Sequence, residues 1–236
     1  MLMDPGAIGL PEQLGRATVA VGRESETFLK SLIDGDYQAC RVVVFDMLLR
    51  GDSFAKIFDE VLTVAMHQIG QGWSEGAVDI YQERRGCELI TRLMHDLRTT
   101  LATTPADAPL AMGGSLGDDP YSLPNRMVEM TLCELGWQAN LLGAGIPIES
   151  LVKAIEEHRP RLFWLSISTI EDASDFPQAF NRLSDACGVD TALVIGGRAL
   201  DEQLRKQLKY TVYCEDLQRL AAFVQALKET RTPPNN

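Results

Sequence analysis

Glu83 is the residue whose chemistry conflicts most clearly with its predicted surroundings. It follows Ile80 by three residues and precedes Cys87 by four, so a helix here would place its carboxylate on an apolar stripe. A carboxylate in such a position needs a partner or a hydrogen bond. Arg84 borders the same stripe, and a salt bridge at the wet end of the helix is the simplest interpretation. Trp73, ten residues before Glu83, is interpreted either as core packing or as a ligand contact.

Three predicted loops that follow strands carry the other candidate groups. These are Asp119 and Tyr121 in the first loop, Ser166 and Ser168 in the second, and Gly196 and Gly197 in the third. If the strands belong to one parallel sheet, the loops meet at its carboxyl edge, where ligands bind in such folds. Hydroxyl groups and a Gly-Gly turn let a large ligand approach the backbone closely. An ordinary turn explains any one loop, but three together indicate a ligand site.

The sequence lacks the motifs of the common catalytic sites. It contains no glycine-rich phosphate loop, no Gly-x-Ser-x-Gly turn and no HExxH pattern. His67, His95 and His158 stand alone on predicted helices, which favours packing or surface roles over metal binding. Since no nucleophile–base pair is recognisable, the sequence does not predict an enzyme.

The first half of the chain, residues 10–104, is predicted to be a helical bundle. Apolar residues recur at spacings of three and four in four segments: Glu24–Ile33, Tyr37–Leu49, from Phe54 to Ile69, and from Asp79 to Leu101. The connections between these segments are short, as in antiparallel bundles. Residues 103–109, rich in Thr and Pro, are predicted to form a linker.

Residues 109–229 alternate short apolar runs with helical segments. Five strands are predicted, at Leu110–Ser115, Ala139–Leu142, Leu162–Ser168, Ala192–Ile195 and Tyr210–Cys214. The alternation predicts a five-stranded parallel sheet of order 2-1-3-4-5 with helices on both faces, a flavodoxin-like arrangement. The predicted fold class is therefore α/β, with an N-terminal four-helix-type bundle followed by a Rossmann-like domain.

The composition limits the partners and the location of the protein. The 236 residues include 33 acidic and 22 basic side chains, and the resulting net charge of −11 argues against direct contact with nucleic acid. Apolar runs are too short to cross a bilayer, and residues 1–14 lack the pattern of a secretory signal. Five scattered cysteines without a CxxC pair are typical of reduced thiols. Together these features predict a cytoplasmic protein without membrane contact.

Residues 24–229, taken together, resemble the cobalamin-binding modules of methionine synthase, of corrinoid proteins and of light-sensing cobalamin regulators. The resemblance implies that a corrin ring lies between a helical cap and a Rossmann-like domain. In the cap motif of this family a Trp stands ten residues before a Glu-His pair. Trp73 and Glu83 match that motif, whereas Arg84 replaces the histidine.

The second motif of this family, Asp-x-His-x-x-Gly, supplies the histidine that ligates cobalt. Asp119 matches its aspartate, but Tyr121 replaces the histidine and Pro124 replaces the glycine. The resemblance places Ser166 against the nucleotide tail of the corrinoid, and Gly196-Gly197 matches the glycine pair of the family. A phenol cannot replace a tuned neutral imidazole, and the proline stiffens the loop. Any cobalamin is therefore expected to bind without an imidazole ligand from this loop.

Three functions are compatible with these observations. The first is a non-enzymatic sensor or regulator that holds cobalamin, haem or a bilin between bundle and sheet and signals through a protein partner. The second is a ligand-free module for partner binding or dimerisation, and the third is a corrinoid carrier for a methyltransferase. Only about twenty residues precede the first predicted helix at Glu24, too few for a DNA-binding domain. Any control of transcription is therefore expected to act through a partner protein, such as a transcription factor.

The cofactor-binding prediction follows from this resemblance and names no catalytic residue and no metal ligand. Its residues are Trp73, Glu83, Arg84, Asp119, Tyr121, Ser166, Ser168, Gly196 and Gly197. Trp73 and Glu83 are expected to line one cavity with Tyr121, Ser166 and Gly196. A homo-oligomer is compatible with each of the three functions.

Overall fold

The computed structural model describes residues 22–117, 119, 121–170 and 175–229. The chain divides into two compact units between Thr100 and Leu101, and each unit is described by itself. The first part of the predicted helical bundle, residues 10–21, lies outside the described residues.

Helices are the only regular elements among the described residues of the first unit. They are α1 (Arg23–Asp34), α2 (Tyr37–Leu49), α3 (Phe54–Ile57), a π-helical segment (Phe58–Thr63), α4 (Val64–Ser74) and α5 (Ile80–Arg98). The segments from α3 to α4 follow each other without a break, and α1 contacts α2, α4 and α5. The unit is therefore a bundle of four helical rods.

Side-chain caps fix where these helices begin. Asp36 accepts a hydrogen bond from the N–H of Ala39 at the start of α2, and Ser53 accepts one from Lys56 at the start of α3. Asp79 and Gln82 form a reciprocal capping box at the start of α5. The fourth helix is shorter than predicted. It ends at Arg98, and Leu101 already belongs to the second unit.

The second unit alternates strands and helices. Its elements are β1 (Leu110–Leu116), α6 (Leu123–Glu134), β2 (Gln138–Ile146), α7 (Ile148–His158), β3 (Leu162–Ser166), α8 (Phe176–Cys187), β4 (Ala192–Gly196), α9 (Glu202–Arg205), β5 (Val212–Tyr213) and α10 (Leu217–Glu229). The strands pair in parallel in the order β2-β1-β3-β4-β5. This order confirms the predicted fold class.

Strand β3 lies at the centre of the sheet and is buried on both faces. Phe163 and Leu165 face the apolar cluster that includes residues of α7 and α8, whereas Leu162 and Trp164 face the cluster that includes residues of α6 and α10. Burial on both faces explains the unbroken apolar run of this strand. The strand ends at Ser166, two residues earlier than predicted, although the N–H of Ile167 still donates to the carbonyl of Gly196 on β4.

Among the described residues, no helix combines the length and the apolar character that crossing a membrane would require.

Candidate functional site

In the helical unit, Trp73 and Glu83 lie on separate helices and are both half-buried. Trp73 is near the end of α4 and is not part of the buried core. Glu83 is in the first turn of α5, where a negative charge is favourable, and 21% of its side chain remains exposed. Its Oε2 atom lies 3.3 Å from Nε of Arg84, whose side chain is 66% exposed. Such an exposed ion pair stabilises the fold little.

Cys87 lies one turn after Glu83 and contacts it directly. Its Sγ donates to Oε1 of Glu83 at 3.5 Å. Burial, together with the negative charge of Glu83, raises the pKa of the Cys87 thiol to about 12. The sulfur is therefore a neutral thiol near pH 7, and the nucleophilic or metal-binding thiolate form is suppressed.

In the second unit, Asp119 joins two of the three predicted loops. This residue is only 2% exposed. Its Oδ1 accepts the backbone N–H of Tyr121 at 3.0 Å, and its Oδ2 accepts the backbone N–H of Ser168 at 2.6 Å. The hydroxyl of Ser115 donates to the backbone carbonyl of Asp119. Both carboxylate oxygens thus hold backbone in place, at the carboxyl edge of β1 and β3.

Tyr121 and Ser168 are linked further by Arg198, a residue that the sequence did not single out as a site residue. The Arg198 guanidinium carbon lies 4.6 Å from the centre of the Tyr121 ring, a cation–π arrangement. Nε of Arg198 also donates to the carbonyl of Ser168 at 3.2 Å. The structure therefore brings the three predicted loops together at one edge, and Ser166 pairs with Gly196 in the β3–β4 register.

Gly197 is required where the third loop passes the second. Its φ of +113° is a conformation that other residues rarely adopt, and a Cβ atom there would lie 2.3 Å from the carbonyl oxygen of Ile167. The glycine pair therefore has a steric role in bringing two backbone segments close together.

No histidine of the second unit lies at this edge. His67 and His95 are in the helical unit, and His158 ends α7, which leads into β3 from the opposite edge of the sheet. In the part of the chain that the structure describes, no group of three or more His, Cys, Asp or Glu residues could hold a metal ion. At this edge, the second unit therefore supplies no histidine ligand for the cobalt of a corrinoid.

Sequence reasoning missed a buried group next to this edge. Nε1 of Trp164 donates to Oδ1 of Asn125 at 3.1 Å, and the Trp164 indole lies against Gly113 of β1. The available signal was the pairing of a strand glycine, Gly113, with a large residue on the neighbouring strand. That signal appears only once the β1–β3 register is known.

Comparison with known proteins gives a match for the helical unit. Residues 24–97 match the family described as B12 binding domain. The match covers most of the helical unit. The resemblance to cobalamin-binding modules inferred from sequence is thereby confirmed.

A curated relative and a solved structure extend the comparison over both units. The HTH-type transcriptional repressor CarH of Myxococcus xanthus is 28% identical over 183 residues, or 74% of this chain, and the match spans 59% of that repressor. The monomethylamine corrinoid protein of Methanosarcina barkeri has the same fold, with a TM-score of 0.71 and 17% identity. That alignment covers 87% of this chain and 98% of the corrinoid protein.

That Trp73 and Glu83 line one cavity with Tyr121, Ser166 and Gly196 stays a prediction.

Proposed function

We propose that this chain is a non-enzymatic regulatory protein that binds cobalamin and acts on a protein partner. The observation that carries the proposal is a contrast. The helical unit matches the family described as B12 binding domain, while the loop that would ligate cobalt according to the family motif carries Tyr121 in place of histidine. The chain thus resembles a cobalamin-binding protein but lacks, in this loop, the histidine ligand that methyl transfer would need.

In the helical unit, Trp73 and Glu83 are the residues we assign to the ligand. A half-buried indole offers an apolar surface to a tetrapyrrole ring, and a half-buried carboxylate can accept hydrogen bonds from ligand amides. If bound, cobalamin would supply a cobalt centre that can exchange ligands. The chain itself supplies the surfaces that hold the ring.

The residues at the carboxyl edge of the sheet argue against a role as a methyl carrier. A carrier cycles cobalt between oxidation states and relies on a positioned imidazole, as the family motif implies. Asp119, the residue that would orient such an imidazole, instead accepts two backbone N–H groups. Likeness to the corrinoid protein shows a shared fold and does not restore the missing ligand.

A protein partner is supported by charge and by the curated relative. CarH is an HTH-type repressor, and this chain matches 59% of its length. A net charge of −11 disfavours direct binding to a phosphate backbone. We therefore propose that the signal passes to another protein, of which a transcription factor is the favoured kind.

An absorbance titration of the full chain with hydroxocobalamin, haem and biliverdin tests this proposal. We expect hydroxocobalamin to bind in a 1:1 complex that survives gel filtration. If haem or biliverdin bound and hydroxocobalamin did not, the ligand of the chain would be that tetrapyrrole instead of cobalamin. Binding of none would overturn the proposal and favour a ligand-free module for partner binding.

A further inference from the structure

Two residues on the face of β3 that packs against α6 affect which form of the ligand can bind. Trp164 and Ser166 are two positions apart on one strand, so their side chains point to the same face. Ser166, which is 7% exposed, lies nearest the loop edge, and Trp164, which is 2% exposed, lies one step deeper. A ligand group that reached past Ser166 on this face would meet the indole of Trp164.

The indole fills the space between β3, β1 and α6. Trp164 pairs with Gly113 in the β1–β3 register, and a Cβ atom at Gly113 would lie 2.2 Å from Cδ2 of the indole. On the far side, Nε1 of Trp164 donates to Oδ1 of Asn125, a fully buried residue in the first turn of α6. The ring therefore spans the face from strand to helix.

Moving this indole aside would be costly. Nδ2 of Asn125 already has no hydrogen-bond partner among the described residues, so losing the Trp164 bond would leave both ends of a buried amide unpaired. Two neighbouring features limit adjustment of the backbone. Pro124 fixes the helical turn before Asn125, and Asp119 ties the loop after β1 to the loop after β3.

A nucleotide tail ends in a benzimidazole, a pair of fused rings about as large as an indole. Two groups of that size cannot share one close-packed space. From this geometry, and resting on the proposed function, we propose that Trp164 excludes the nucleotide tail from the sheet unit. The corrin ring is held while its tail stays outside, so Trp164 decides which corrinoids the chain accepts.

The test compares hydroxocobalamin with aquacobinamide, a corrinoid that lacks the nucleotide tail, in titrations of the full chain. We expect cobinamide to bind as tightly as cobalamin, within about threefold, or more tightly. A tail buried with several hydrogen bonds would instead favour cobalamin by about tenfold or more, and that result would overturn the inference. If neither corrinoid binds, the proposed function fails, an outcome distinct from a preference for cobalamin.

A pair of variants separates this role from simple core packing. Trp164→Ala opens the face and is expected to shift the preference toward cobalamin by about tenfold or more. Trp137→Ala is the matched control, since Trp137 is also fully buried in the same apolar cluster but precedes β2 at the opposite edge. It should leave the affinity ratio unchanged. Equal shifts in both variants would contradict the role of Trp164, and if Trp164→Ala does not fold, the wild-type ratio alone decides.

Discussion

Glu83 of the helical unit contacts its helical neighbours Arg84 and Cys87, and 21% of its side chain stays exposed. Asp119 of the sheet unit is buried and holds two backbone segments through both carboxylate oxygens. The two carboxylates match the two motifs of one family, yet one keeps part of its side chain exposed and the other is buried and committed to holding the backbone. Keeping a family residue therefore does not by itself keep its role.

The largest expected effect is a difference in stability loss between alanine variants of two glycines with positive φ, Gly197 and Gly51. In Gly197→Ala the new Cβ would lie 2.3 Å from the carbonyl oxygen of Ile167, so strain and a backbone clash should together cost about 3 kcal/mol or more. Gly51→Ala has a φ of +91° but nothing within 4 Å, so the cost should be about 1 kcal/mol. Urea unfolding of both variants measures the difference. Equal losses would show that the third loop can shift.

The next effect compares the two carboxylates by the same change to an amide. Asp119→Asn keeps one acceptor oxygen but turns an NH₂ group toward a backbone N–H, which should cost about 2 kcal/mol. Glu83→Gln, at a half-exposed site, should change the free energy of unfolding by less than about 0.5 kcal/mol. Thermal unfolding of the two variants checks this. A cost for Glu83→Gln equal to that for Asp119→Asn would remove the contrast between the units.

A smaller effect concerns pH within the helical unit. The hydroxyl of Tyr37 donates to Oδ2 of Asp96 at 2.6 Å. Burial, and then this bond, raise the pKa of Tyr37 from 10.0 to about 12, while the bond from Tyr37 lowers the pKa of Asp96. Because the pKa of the phenol is raised, the contribution of Tyr37 to the free energy of unfolding is fully present below pH 10 and is lost as the pH rises toward 12. Because the pKa of the carboxyl group is lowered, the contribution of Asp96 to the free energy of unfolding is lost as the pH falls below the usual carboxyl range.

Tyr37→Phe removes this bond and tests both signs at once. The variant should be less stable than the wild type by about 1 kcal/mol at pH 7, with the difference shrinking at both extremes of pH. Unfolding curves at a series of pH values measure it. A difference that stays constant up to pH 12 would show that the phenol is not held by Asp96.

The smallest expected effect is on ligand affinity at the sheet edge. Tyr121→His restores the family histidine, yet affinity for hydroxocobalamin should change by less than about twofold. The reason is that Pro124 still stiffens the loop and Asp119 is occupied by backbone. Tyr121→His combined with Pro124→Gly is the stronger test of the loop. A gain of about tenfold from the single variant would show that the histidine alone was missing.

The sequence predicted the architecture well because the governing signals are local. Apolar periodicity and the alternation after residue 109 predicted the helices, the strands and the sheet order, which the structure confirms. The commitment of Asp119 and the position of Trp164 depend instead on partners far along the chain. Ser168 is 49 residues from Asp119, and Asn125 is 39 residues from Trp164. A single sequence contains no direct signal for such pairs.

We propose that the helical unit, and not a cobalt ligand at Tyr121, determines binding. Affinity of the full chain for hydroxocobalamin, measured in Trp73→Ala and in Tyr121→Phe, tests it most directly. Trp73→Ala should weaken binding by about tenfold or more, because a ring-sized apolar surface is lost. Tyr121→Phe keeps the ring beside Arg198, loses only the phenolic oxygen, and should bind within about twofold of the wild type. Unchanged binding by Trp73→Ala together with loss of binding by Tyr121→Phe would contradict the account.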